Sequence, residues 1–137
     1  MADESQAKKG QGPHVVLVED DTFLANIYKT KFEMEGFRVS VAADGEEGVA
    51  MIHKENPDII LLDILLPKKD GFVVLEEIKA SDATKNIPVV MLTNLGQKDD
   101  VEKGLKLGAV DYLIKAHFKP SETVEKVRKV LKEHGAR

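Results

Sequence analysis

Two runs, "IILL" at residues 59–62 and "VVML" at residues 89–92, contain no polar side chain. Successive side chains on a strand point to opposite faces, so a strand apolar at every position is covered on both. Four residues suit a strand and are too few for a helix. Strands of this kind belong to parallel sheets with helices on either side, and the rest of the chain has to supply those helices. Three more runs, "VVLV" (15–18), "FRVSVA" (37–42) and "YLI" (112–114), complete a set of five. The second alternates with period two and reads as a half-exposed edge.

Helix patterns lie between the runs. Leu24, Ile27, Tyr28 and Phe32 recur at helical spacing, and Gly36 follows as a stop. Asp44 and Glu47 form a capping box ahead of Val49 and Ile52. Asp70 precedes a stripe of Phe72, Leu75 and Ile78. Asp99 and Asp100 favour a helix start before Val101 and Leu105, and Gly108 ends it. Pro120 fits the first position of a helix carrying Val124, Val127 and Leu131. The order is therefore (βα)5: an α/β chain whose right-handed crossovers place helices on both faces of a parallel sheet.

The 137 residues fit one domain. Residues 1–13 are polar and read as a flexible tail, with the domain expected over 14–137. The tail has no hydrophobic segment and is not a secretory signal. No stretch has the length of a membrane span. With 24 acids, 20 bases and a net charge of −4, nucleic acid is not expected as a partner. The absence of cysteine excludes disulfides and thiol chemistry. These features point to a cytoplasmic protein.

In an open parallel sheet, ligands sit beyond the carboxyl ends of the strands. Glu19, Asp20 and Asp21 follow the first run, Asp63 the third, Thr93 and Asn94 the fourth, and Lys115 the fifth. If those strands are neighbours, the groups share one rim. Carboxylates so close repel one another unless a cation joins them, and an all-oxygen set suits Mg²⁺. Thr93 and Lys115 would then serve an incoming anion, most naturally a phosphoryl group, with Asp63 as its nucleophile. Asp21 alone is equally well explained as an acid at a helix N-terminus. His14, His53, His117 and His134 are scattered and receive no role. Lys126, Arg128, Lys129 and Lys132 read as a solvated face of the last helix.

The pieces "VLVEDD", "IILLDILLPKKDG", "VVMLTN" and "DYLIKA" stand in the order and spacing of the receiver domain of two-component response regulators, and the chain resembles that family over residues 14–131. The resemblance implies a flavodoxin-like fold with strand order 2-1-3-4-5. It implies Asp63 as phosphoacceptor; Asp20, Asp63 and the backbone carbonyl of Leu65 as Mg²⁺ ligands, with Glu19 acting through water; and Lys115 as counter-charge. Thr93 would bond the phosphoryl group, and Tyr112 would be the aromatic switch coupled to it. Implied partners are a histidine kinase or histidine phosphotransfer protein and a downstream protein on the face of the fourth helix, fifth strand and last helix. The protein would be a monomer or a phosphorylation-dependent dimer. A stand-alone response regulator that is not a turnover enzyme is the function implied; the alternative is a protein-interaction module that works without phosphorylation. Two positions depart from the family pattern. Ala116 replaces the usual proline after Lys115, and a non-proline cis bond costs about 2.5–4 kcal/mol, so a trans bond is expected. Leu66 stands where methionine is frequent.

Overall fold

The computed structural model describes residues 12–94, 98–115 and 119–135. Ala116, and with it the expected trans bond, lies outside these residues. Five strands and five helices alternate: β1 (His14–Val18), α1 (Thr22–Met34), β2 (Arg38–Ala42), α2 (Gly45–Glu55), β3 (Ile59–Asp63), α3 (Gly71–Ala80), β4 (Val89–Thr93), α4 (Lys98–Lys106), β5 (Asp111–Ile114) and α5 (Pro120–His134). All pairings are parallel and the sheet order is β2-β1-β3-β4-β5, the flavodoxin-like arrangement. β1, β3 and β4 are interior and buried at every position, whereas β2 is half-exposed along the edge.

Alternation along the interior strands divides the core in two. Val15, Leu17, Ile59, Leu61, Val90 and Leu92 pack against Tyr28 and Phe32 of α1 and Val124 and Val127 of α5. Val16, Val18, Ile60, Leu62, Val89 and Met91 pack against Ile52 of α2 and Val74, Leu75 and Ile78 of α3. Asp63, next in phase after Leu61, therefore belongs to the α1/α5 side. Thr93, in phase with Met91, belongs to the other.

Three helices start at the carboxyl rim on aspartate caps. Asp21, Asp44 and Asp70 accept hydrogen bonds from the backbone of Leu24, Glu47 and Val73 at 2.8–3.0 Å. The bland reading of Asp21 is thus correct. Gly36 (φ 95°) and Gly108 (φ 117°) lie just past α1 and α4 in a conformation that disfavours side chains. Ile27, placed in the core stripe by its spacing, is exposed: α1 carries a second apolar line of Phe23, Ile27 and Met34 facing outward. Two of the basic residues expected to be merely solvated make ion pairs at 2.9 Å, Lys126 with Asp111 of β5 and Arg128 with Glu35 after α1. Gly12 and Pro13, assigned to the tail, hydrogen-bond to Gly36 and Arg38. Among the described residues, no helix is long and apolar enough to cross a membrane.

Candidate functional site

β1 and β3 are neighbours, so the residues at their carboxyl ends meet. Glu19, Asp20 and Asp63 each offer an oxygen, and these oxygens lie within 4.8 Å of one another. Asp63 is 3% exposed and Glu19 1%, whereas Asp20 is exposed at the mouth. Lys115, just past β5, reaches back across the rim. Its Nζ is 2.6 Å from Glu19 Oε1 and 2.9 Å from Asp63 Oδ2. An open cleft above them is lined by these four residues together with Asp21, Leu24, Leu65 and Asn94.

The charges do not balance. Two buried carboxylates face one ammonium, with a third carboxylate alongside. Burial raises the Glu19 carboxyl above its ordinary value; Lys115 opposes this and the Asp63 charge adds to it. Burial alone would lower the Lys115 ammonium, but Glu19 and Asp63 outweigh it and hold it above its ordinary value. Glu19 Oε1 forms a 2.6 Å ion pair with Lys115 and has no hydrogen-bond partner besides it among the described residues. An all-oxygen cluster with two buried carboxylates, a third at the mouth and excess negative charge fits a hard divalent cation. The donor set therefore suits Mg²⁺.

The remaining expected site residues are placed as follows. Leu65 is 67% exposed and lines the cleft; its backbone N–H points to Asp63 Oδ1 at a long 3.4 Å. Thr93 ends β4 but is 4% exposed, on the sheet face shared with Met91. Tyr112 pairs with Met91 in the register and packs into that same cluster, so Thr93 and Tyr112 share a face. Three features escaped the sequence reading. Lys115 bridges two carboxylates instead of waiting for an anion. Tyr28, read only as core, is buried on α1, and burial together with the nearby Glu19 and Asp63 charges holds its phenol well above its ordinary value. Gly71 lies so close to Asp63 that a Cβ there would overlap the Asp63 carbonyl oxygen, and Gly71 N donates to Ile64 O at 2.7 Å. The "DG" after the proline was the available signal for that approach.

Residues 15–128 match the family model described as the response regulator receiver domain. The chain belongs to the response regulator receiver family. The receiver is similar to a putative response regulator from Chloroflexus aurantiacus, with a TM-score of 0.84, 34% identity, and coverage of 89% of this chain and 99% of that one. It is also similar to the receiver domain of sensor histidine kinase PA1611 from Pseudomonas aeruginosa, solved with a magnesium ion coordinated in the active site cleft. There the TM-score is 0.79 with 31% identity, covering 86% of this chain and 96% of that one. The DNA-binding dual master transcriptional regulator RpaA of Synechocystis sp. is 39% identical over 120 residues, 88% of this receiver and 49% of RpaA.

The receiver spans about half the length of the curated relatives it matches. This corrects the expected partners, which comprised proteins and no nucleic acid: relatives of this chain are transcriptional regulators, one of them described as DNA-binding. The expectation rested on the net charge of these 137 residues. That charge describes the surface of this stretch alone and says nothing about a nucleic-acid contact made elsewhere.

Proposed function

We propose that this receiver accepts one phosphoryl group on Asp63 from a phosphohistidine donor and that the modified state is read out in gene regulation. The observation that carries the proposal is the position of Asp63: a carboxylate 3% exposed at the floor of an open cleft, 2.9 Å from a lysine and beside two further acids. An Asp63 oxygen attacks phosphorus in line, the bond from phosphorus to the donor nitrogen breaks, and the imidazole leaves with that electron pair. Lys115 is already hydrogen-bonded to Asp63 Oδ2, so it pairs with the negative charge as it moves outward onto the phosphoryl oxygens. Mg²⁺, held by Asp20, Asp63 and the Leu65 carbonyl with Glu19 reached through water, would neutralise that charge. Thr93 would turn toward the phosphoryl group from the face it shares with Tyr112. The receiver is an acceptor and releases no product other than inorganic phosphate when water later attacks the acyl phosphate, so it is a switch and not a turnover enzyme. It works in the cytoplasm, where donor and transcription machinery meet.

The resemblance to RpaA supports the regulatory reading. The test is incubation with acetyl phosphate and Mg²⁺, followed by intact mass. One acid-stable, base-labile phosphoryl group is expected on the wild type and none on Asp63→Asn. Normal labelling of Asp63→Asn would remove Asp63 from the role.

A further inference from the structure

α4 is the least anchored helix of the receiver. Among its described residues only Gly104 is buried, and Leu105 is 43% exposed. Two contacts on its inner side involve Phe72. Gly104 backs onto Met91 and Phe72, with room for a Cβ only 3.2 Å from Met91 Cγ and 3.9 Å from Phe72 Cε1. The Lys103 ammonium stands 4.4 Å from the centre of the Phe72 ring, within range of a cation–π attraction.

Phe72 is the second residue of α3. The residue before it, Gly71, has no space between its own Cα and the backbone of Asp63 and Ile64. Asp70 caps the same turn through the backbone of Val73. Asp63, Gly71, Phe72 and the Lys103–Gly104 pair therefore form an unbroken line of packed groups from the cleft to α4. The line passes through neither Thr93 nor Tyr112.

We propose that Phe72 and Lys103 form a clasp through which the chemical state of Asp63 sets the position of α4. The proposal rests on Asp63 being the acceptor. Gly71 is packed without slack, so a shift of the backbone after β3 moves the first turn of α3 with it. The ring of Phe72 is carried along, and its contacts with Gly104 and Lys103 of α4 are weak ones. A single half-exposed cation–π contact biases the helix without locking it, which suits a segment that must change place.

The test is hydrogen exchange of α4 amides in the full chain, with and without acetyl phosphate and Mg²⁺. Wild type, Phe72→Leu, Lys103→Met, the Phe72→Leu/Lys103→Met double variant and Lys103→Arg are compared, with phosphoryl content read in parallel by intact mass. Before phosphorylation, α4 of Phe72→Leu and of Lys103→Met should exchange about threefold faster than wild type, the size of one exposed cation–π contact. The double variant should exchange no faster than the single ones, and Lys103→Arg should behave as wild type. On phosphorylation, the change in α4 exchange should shrink by about twofold or more in Phe72→Leu and Lys103→Met at equal phosphoryl content. Wild-type labelling with an undiminished α4 response in both variants would overturn the clasp alone. A wild type that takes up no phosphoryl group would overturn the acceptor reading and the clasp with it. Lys103→Met changes only a surface position, so a folding defect in Phe72→Leu does not remove the test.

Discussion

Lys68 adopts φ 69° in the turn after β3, a left-handed conformation that costs a residue with a Cβ about 1–2 kcal/mol. Among the described residues its ion partner is Asp44 at 3.7 Å, a largely exposed and weak pair. Lys68→Gly should therefore raise stability by roughly 0.5–1 kcal/mol after the extra entropy of a glycine in the unfolded chain is deducted, seen as a higher urea midpoint. A lower midpoint would show that the Asp44 pair outweighs the strain. Three residues earlier, Leu65 presents an apolar side chain at the mouth of the cleft. It has no atom with which to orient a hydrolytic water, so the phosphorylated state should persist. Leu65→Asn should speed its decay about tenfold, equivalent to about 1.4 kcal/mol in barrier. Decay measured after donor removal with Mg²⁺ present checks this, and equal rates in both proteins would sink it. Asn94 and Leu95, which follow Thr93, flank the same approach by resemblance: Asn94 lines the cleft, and Leu95 lies outside the described residues. Asp63 announced itself in the sequence because a carboxylate interrupting an apolar run needs an explanation. The strain at Lys68 did not, because a lysine after proline has no sequence mark of its backbone angle.

The elements were legible because period and caps are local properties. The runs at 59–62 and 89–92 became interior strands, and Asp44, Asp70 and Gly36 stand at helix ends as expected. Ile27 misled because α1 has apolar residues on two faces, and spacing alone does not say which one meets the sheet. His14 was passed over for a different reason: its partners come from three other segments. Its Nε2 lies 2.9 Å from Ser40 Oγ of β2 and 3.1 Å from Glu55 Oε1 of α2, and its backbone N–H donates to Asp58 at 2.7 Å. Ser40 donates to Glu55, so the imidazole Nε2 is the donor toward Ser40. Burial, then the Arg38 charge, lowers the imidazole below its ordinary value of 6.5, while Glu55 and Asp58 pull the other way. Below 6.5 the unfolded chain thus binds the proton more readily than the fold does, and stability is lost as pH falls through that window. His14→Gln has no such group to titrate. Its denaturation midpoint should fall less than wild type's between neutral pH and the region below 6.5, and parallel curves would uncouple His14 from the acid response.

At the scale of the whole molecule, the strand order came from family resemblance, since alternating periods alone do not rank the strands. The Lys115–Glu19 ion pair was beyond the sequence altogether, because it needs β1 and β5 seen around β3 and β4. The assembled cluster makes a prediction for the molecule as a unit. Asp20 adds a like charge to the site, so Asp20→Ala without metal should melt at or above the wild-type temperature. Mg²⁺ at a hundred times its dissociation constant should stabilise the wild type by about 2.7 kcal/mol and the variant hardly at all. Calorimetry with Mg²⁺ and with chelator measures both, and a metal-free Asp20→Ala that melts well below wild type would make Asp20 a structural residue instead. The bridge from Lys115 to Asp63 spans 52 positions of chain. It exists only when β3, β4 and β5 are all in place, so under the proposed function a copy frayed at any of them has nowhere to receive the message. Under that reading only intact molecules can be written on; damaged ones fall silent instead of speaking falsely.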